Sequence, residues 1–221
     1  MKTRIITAIA ILAVVIPALF FGGFFKALLV GFIISMGGFE WMNVNAKEHR
    51  IPFVIQVIAI VICSLSLLIP QNYINVLFAA SGLLFLSIPV FLESFHAKES
   101  FNILSYIFFF HIVATAFLKI HGTNPNLIWF MLVATYGCDT GAYFAGRFFG
   151  KHKLNERISP KKTIEGSIGG CILGTLLATG FGLFVLNEYH IFFLVIASFL
   201  MTIFGQVGDL AFSAIKRNYQ I

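Results

Sequence analysis

Residues 190–208, HIFFLVIASFLMTIFGQVG, run for 19 positions without an aspartate, glutamate, lysine or arginine. A helix needs about 20 predominantly apolar residues to cross the hydrocarbon core of a bilayer, and this run has that length. Predominantly apolar runs recur along the whole chain, at residues 5–25, 27–43, 52–70, 73–92, 101–119, 126–145 and 167–187. The pattern therefore predicts eight membrane-spanning helices.

The composition excludes an ordinary soluble domain. Of the 221 residues, 59% are hydrophobic and 11% are charged, whereas soluble domains are about 45–50% apolar and about 25% charged. We predict an all-α, polytopic membrane protein with a single membrane domain over residues 1–221. Within it, residues 1–125 form an apolar helical scaffold. In residues 126–221, glycine and polar residues enter the spans.

The lysines and arginines predict the orientation of the chain. With a cytoplasmic N-terminus, 13 of the 15 fall on the inner side and only Lys26 and Lys119 fall outside. Cytoplasmic loops carry an excess of such residues, so we expect the N-terminus and the basic loops in the cytoplasm. Because these charges sort by loop, they indicate a membrane topology and not a nucleic-acid partner.

Small residues recur at every fourth position in two predicted spans. The first set is Gly137, Gly141 and Ala145, and the second set is Gly166, Gly170 and Gly174. This pattern lets membrane helices approach closely. Asp139 lies about 200° around its helix from the first of these ladders, so we expect it to face something other than that helix contact.

Asp139 and Asp209 are the only aspartates, and both lie in or at the end of an apolar run, where a carboxylate is costly and usually functional. Each is followed by an arginine eight residues later, at Arg147 and Arg217, which puts the arginine about 12 Å further along a helix. Two converging carboxylates need a proton or a cation between them. Oxygen ligands favour magnesium, so we predict a magnesium site if the two helices are adjacent. Pairing of each aspartate with a neighbouring basic residue is the structural alternative.

The longest hydrophilic segment, residues 147–166 (RFFGKHKLNERISPKKTIEG), lies between the two aspartate helices. Ser159 followed by Pro160 is typical of an N-cap and first helical turn. Backbone N–H groups, a hydroxyl of Ser159 or Thr163 and the two lysines that separate them predict a phosphate-binding cradle. These lysines are Lys161 and Lys162.

Several strings in the second half, taken in order, resemble the phosphatidate cytidylyltransferase family, also called CDP-diglyceride synthases. They are DTGAYFAGRFFG at 139–150, ISPKKT at 158–163, GQVGDL at 205–210 and SAIKR at 213–217. The resemblance covers residues 136–217, and the first half is similar only in its apolar helices. It implies that residues 126–221 form the catalytic region, which would be incomplete. It implies transfer of a cytidylyl group from CTP to phosphatidic acid, which gives CDP-diacylglycerol and pyrophosphate.

The resemblance also implies roles for individual residues. Asp209 and Asp139 would bind Mg²⁺, and catalysis would depend on these two together with Lys162, Lys216 and Arg217. Substrate phosphates would be bound by Arg147, Ser159, Lys161, Lys162, Thr163, Ser213, Lys216 and Arg217. The partners would be CTP, phosphatidic acid and the bilayer of a bacterial inner membrane, with the active side cytoplasmic; a homodimer is left open.

The family signature continues beyond the SAIKR string into a Lys-Asp pair and a Pro-Gly-His-Gly-Gly run with further aspartates. The sequence stops at Ile221, before that continuation. We therefore expect the 221-residue chain to lack part of the metal site and a final helix, and to be catalytically inactive.

Three other functions remain open from the residues. A lipid or ion transporter would use the aspartates as a proton or ion relay. A CTP-dependent lipid kinase would transfer the γ-phosphate and release CDP. A non-catalytic fragment would act as a scaffold.

Overall fold

The computed structural model describes residues 13–44 and 50–219, and they are almost entirely helical. The chain divides into two compact units, Met1–Lys119 and Ile120–Ile221. The assignment of scaffold and catalytic roles to the two halves stays a prediction. The all-α, polytopic architecture is confirmed, with one addition, a two-stranded hairpin in the second unit.

The first unit contains α1, whose described part is residues 13–21, followed by α2 (Gly23–Met42), α3 (Phe53–Leu65), a 3₁₀ turn (Gln71–Tyr73), α4 (Ile74–Phe91) and most of α5 (Ala97–Thr123). Gly22 and Gly23 have φ angles of 63° and 46°, a backbone region that glycine adopts without a steric penalty. The break between the first two helices is therefore at Gly22, a few residues before the predicted boundary.

Polar side chains in the core of the first unit form hydrogen bonds with other groups of the same unit. The Tyr106 hydroxyl donates to the Ile34 carbonyl at 2.9 Å, and its ring packs against Gly38 where a Cβ would meet it at 2.7 Å. Asn43 and Gln56 exchange amide hydrogen bonds at 2.9 and 3.2 Å. Unpaired polar groups are expensive in an apolar environment, and these pairings remove that cost.

The second unit consists of α6 (Asn126–Phe149), β1 (Lys153–Asn155), β2 (Ser159–Thr163), α7 (Ile164–Val185) and α8 (Ile191–Tyr219). The two glycine ladders pack directly on each other. A Cβ on Gly141 would lie 2.8 Å from the Gly169 carbonyl oxygen, and one on Gly137 would lie 3.1 Å from the Gly174 Cα. The predicted close approach of the two ladder helices is thus confirmed.

Five helices in the described part of the chain are long and apolar enough to cross a membrane: Gly23–Met42, Gln71–Phe91, Ala97–Thr123, Ile164–Val185 and Ile191–Tyr219. The predicted span at 52–70 is helical only over the 13 residues of α3, about 20 Å of helix. The count of eight spans and the cytoplasmic N-terminus therefore remain predictions. The multi-pass membrane character is supported by all five helices.

Candidate functional site

Two cavities lie at the hairpin end of the second unit. The first, which we call the aspartate cavity, has a volume of about 410 Å³ and is lined by Asp139, Ala142, Tyr143, Gly146, Arg147, Leu154, Lys161, Lys162, Thr163, Gly166, Ser167, Gln206 and Asp209. The second, the basic cavity, has a volume of about 630 Å³ and is lined by Ile158, Ser159, Pro160, Lys161, Ser213, Lys216 and Arg217. All ten residues predicted for the site line one of these cavities, and Lys161 lines both.

The two aspartates come from different helices and face the same cavity. Asp139 lies in α6 and Asp209 in α8. Lys162 of β2 forms an ion pair with Asp209, although the two residues are 47 positions apart in the chain. The Asp209 side chain is 60% exposed and that of Lys162 32% exposed, so both remain accessible to a ligand.

Arg147 is oriented by its own helix. Its Nη1 donates to the Tyr143 hydroxyl at 2.9 Å, because residues four apart lie on the same helical face. Tyr143 and Arg147 both line the aspartate cavity. The pair places a guanidinium, a group suited to binding phosphate through two parallel hydrogen bonds, beside the carboxylates.

The hairpin contradicts the predicted helix start at Ser159. Residues Ser159–Thr163 form β2, and Lys153 pairs with Thr163 across the two antiparallel strands. The Ile158 N–H donates to the Asn155 side chain at 3.1 Å within the turn, and Lys153 Nζ donates to the Pro160 carbonyl at 2.7 Å. These bonds keep the chain extended through Pro160, so α7 starts later than the sequence indicated.

Thr163 is the actual N-cap of α7. Its Oγ1 accepts the Gly166 N–H at 3.1 Å, and the Ile164 N–H donates to the His152 carbonyl at 2.9 Å. Two of the backbone amides at the actual start of α7 therefore already have partners, and the groups still available to a phosphate are mainly side chains. A threonine hydroxyl that accepts one hydrogen bond can still donate its own proton to a ligand.

Glu165 and His152, neither of which was predicted as a site residue, connect the start of the hairpin to α7. Glu165 accepts the backbone N–H groups of Lys151 and His152 at 3.1 and 3.2 Å, and His152 Nδ1 lies 2.6 Å from its Oε1. The acidic side chain in the first turn of a helix also interacts favourably with the helix dipole. Glu165 thus holds the hairpin that carries the lysines.

Gln206 is the second feature that sequence reasoning missed. Its Nε2 lies 3.2 Å from the Cys138 Sγ, 3.0 Å from the Ser167 carbonyl and 3.2 Å from the Cys171 Sγ, while its Oε1 accepts from the Ser167 hydroxyl. The side chain therefore joins α6, α7 and α8 beside the aspartate cavity. A glutamine within an apolar span was the available signal, since intramembrane polar residues face the protein interior.

Asp139 and Asp209 are the side chains that could hold a cation in this cavity. No group of three or more histidine, cysteine, aspartate or glutamate side chains suited to a metal occurs within residues 13–44 and 50–219. Magnesium is usually bound by one or two carboxylates, with waters and substrate phosphates completing its shell. A pair of accessible carboxylates fits that mode of binding and does not fit a metal cage built by protein ligands alone.

Comparisons with known proteins all identify cytidylyltransferases as similar to this chain. A family model described as the cytidylyltransferase family matches residues 2–221. Proteins named phosphatidate cytidylyltransferase from Staphylococcus epidermidis and Staphylococcus saprophyticus are 31% identical over 231 residues, which covers 100% of this chain and 87% of each relative. The protein of the same name from Staphylococcus aureus is 30% identical over the same extent.

Proposed function

Because the chain belongs to the cytidylyltransferase family, as its motifs predicted, we propose that it transfers a cytidylyl group from CTP to phosphatidic acid. The relatives carry the name of that reaction and match the whole chain. The observation that supports it in this molecule is the junction of the two cavities, where carboxylates and phosphate-binding cations meet at one end of a membrane-embedded helix group.

In this reaction, a phosphate oxygen of phosphatidic acid attacks the α-phosphorus of CTP. The bond from that phosphorus to the bridging oxygen of the β-phosphate breaks, pyrophosphate leaves with the bonding electrons, and CDP-diacylglycerol forms. Catalysis of such transfers depends mainly on positioning and on stabilisation of negative charge. Arg147, Lys161, Lys162, Lys216 and Arg217 supply positive groups along the two cavities for that purpose.

The carboxylates of Asp139 and Asp209 would hold Mg²⁺ together with the nucleotide phosphates. The ion would neutralise the triphosphate and make pyrophosphate a better leaving group. Lys162, now paired with Asp209, can exchange that carboxylate for a phosphate at little cost, since exposed ion pairs contribute only about 0–1 kcal/mol. The hydroxyls of Ser159, Thr163 and Ser213 would donate to phosphate oxygens.

The membrane explains how the two substrates meet. The acyl chains of phosphatidic acid stay in the bilayer, and CTP comes from water. We propose that the hairpin end faces the cytoplasm of a bacterial cell and that the protein resides in its inner membrane. The excess of basic residues on that side supports this orientation.

The test is product analysis with the purified protein in lipid nanodiscs supplied with CTP, Mg²⁺ and phosphatidic acid. Pyrophosphate together with CDP-diacylglycerol is the expected result. Release of CDP with a phosphorylated lipid would identify a lipid kinase, and ion or lipid flux without nucleotide turnover would identify a transporter. The mass of the particle in the same preparation separates a monomer from a homodimer.

Binding of CTP is measured in parallel, because it tests the two cavities independently of turnover. Equilibrium dialysis with labelled CTP and Mg²⁺ should show saturable binding. Absence of both binding and products would contradict the proposed function. CDP-diacylglycerol made by this chain would support the function.

A further inference from the structure

The two adjoining cavities differ in charge in a way that separates two kinds of phosphate ligand. We propose that the basic cavity binds the phosphate monoester of the lipid without a metal ion, and that the aspartate cavity binds the nucleotide triphosphate with its divalent cation. This division rests on the proposed function and assigns a place to each of its substrates.

The first observation is the composition of the two linings. The basic cavity has three cations, Lys161, Lys216 and Arg217, with the Ser159 and Ser213 hydroxyls and no carboxylate. The aspartate cavity contains both aspartates. A metal-free phosphate dianion is repelled by carboxylates and attracted by ammonium and guanidinium groups. A triphosphate that arrives with Mg²⁺ can instead use the carboxylates as ligands to the ion.

The second observation is the course of β2. Its first two residues, Ser159 and Pro160, line only the basic cavity, and its last two, Lys162 and Thr163, line only the aspartate cavity. Lys161, between them, lines both. One short strand therefore crosses from one cavity to the other, and an ammonium group stands where a lipid phosphate and the nucleotide phosphates would meet.

The third observation is the apolar surface next to the basic cavity. Phe212 is 47% exposed and lies one helical turn before Lys216 on α8, and Phe204, two turns further back, is 68% exposed. An acyl chain along this face would reach Lys216 at its phosphate end. Exposed aromatic residues also flank the aspartate cavity, at Phe144 and Phe148. The assignment of the lipid phosphate to the basic cavity therefore depends on the charge of the two linings and not on their apolar surroundings.

The experiment compares binding of two probes to the protein in detergent micelles. The first probe is dioctanoyl phosphatidate without divalent cation, and the second is CTP with Mg²⁺. The variants are Lys216→Gln combined with Arg217→Gln, which changes only the basic cavity, and Lys162→Gln, which changes only the aspartate cavity. Arg157→Gln is the matched control, because Arg157 is an exposed cation of the same hairpin region that lines neither cavity.

We expect the double variant to lose about tenfold or more in phosphatidate affinity, the usual effect of removing a charged hydrogen-bond donor, while CTP binding stays within about twofold of wild type. Lys162→Gln should give the reverse pattern, and the control should change neither affinity. Equal losses for both probes in the double variant, or a loss of phosphatidate affinity in Lys162→Gln, would overturn the division. If the double variant does not fold, Lys216→Gln alone takes its place, with the same expected direction of change and the same outcomes against the division.

A third probe identifies the source of the phosphate monoester. Water-soluble glycerol 3-phosphate carries the same headgroup without acyl chains, so weaker binding than phosphatidate is expected, and equal affinity would overturn the lipid assignment. The outcome is separable from that of the proposed function. Distinct binding patterns together with release of CDP and a phosphorylated lipid, the outcome of a lipid kinase, would refute the function alone. Formation of CDP-diacylglycerol with uniform binding losses would refute the division alone.

Discussion

At the scale of single residues, Asp209 and Lys162 form an ion pair in the lining of the aspartate cavity. Their ion pair connects β2 to α8, and it neutralises one of the two carboxylates in the cavity. Such an exposed pair is weak, which makes it suited to exchange when a cation and a phosphate arrive together. The sequence predicted that Lys162 binds a substrate phosphate, whereas in the structure it is paired with Asp209. The two roles are compatible, because a phosphate can replace the carboxylate.

Asp209→Asn should abolish Mg²⁺-dependent CTP binding and turnover while the fold is retained, because the amide has nearly the same shape but cannot provide a carboxylate ligand. Isothermal titration with Mg²⁺ and CTP, together with circular dichroism, checks both parts. Glu156→Gln is the control, since Glu156 is an exposed acid of the hairpin turn that lines neither cavity. Undiminished CTP binding in Asp209→Asn would remove Asp209 from the metal site.

At the scale of elements, the contact of α6 with α7 carries the site. Gly141, Gly166 and Gly170 bring the two backbones close enough that a Cβ at any of them would lie within 3 Å of a neighbouring atom. Gln206 adds α8 to this pair through its amide. Asp139 follows Cys138 directly, and Asp209 lies one turn after Gln206, so the same junction sets the spacing of the two aspartates.

Gly170→Ala should lower the thermal stability of the second unit, because its Cβ would lie 2.7 Å from the Cys138 carbonyl oxygen and 3.0 Å from the Ala142 Cβ. Overpacking of this kind costs about 1–3 kcal/mol. Gly180→Ala, on the same helix with nothing within 4 Å of its Cβ, should be neutral or slightly stabilising. Melting temperatures in detergent compare the two variants. Equal values would show that α6 and α7 can move apart without loss of stability.

At the scale of the whole molecule, the decisive property is the side of the membrane that the hairpin faces. α8 has 29 residues and is about 43 Å long, longer than the roughly 30 Å hydrocarbon core. If its apolar start crosses the core, its terminal turns, with Lys216 and Arg217, would extend into the headgroup region, where basic residues attract anionic lipids and phosphorylated ligands.

The orientation can be measured with single cysteines in a background whose native cysteines are replaced by alanine. Arg157→Cys lies before α7 and Asn187→Cys after it, separated by about 33 Å for the 22 residues of the helix. We expect a membrane-impermeant maleimide to label position 157 only in inside-out vesicles and position 187 only in intact cells. The opposite pattern would refute the cytoplasmic site.

The sequence alone predicts the membrane helices, the close approach of the helices that carry the two glycine ladders and, through the family motifs, ten site residues, all of which line the two cavities. The helices and the ladders follow from local properties, namely the length of apolar runs and spacing at every fourth position, and the site residues follow from the motifs. Only the tertiary structure decided the hairpin, the cap at Thr163 in place of Ser159, the role of Gln206 and the division into two cavities. Most of these features depend on pairing between separate segments: the hairpin pairs Lys153 with Thr163, Gln206 reaches Cys138 across 68 positions, and Lys162 contacts Asp209 across 47 positions. Helical periodicity does not predict such partners, because a strand pair or an ion pair becomes favourable only after packing has brought the two segments together.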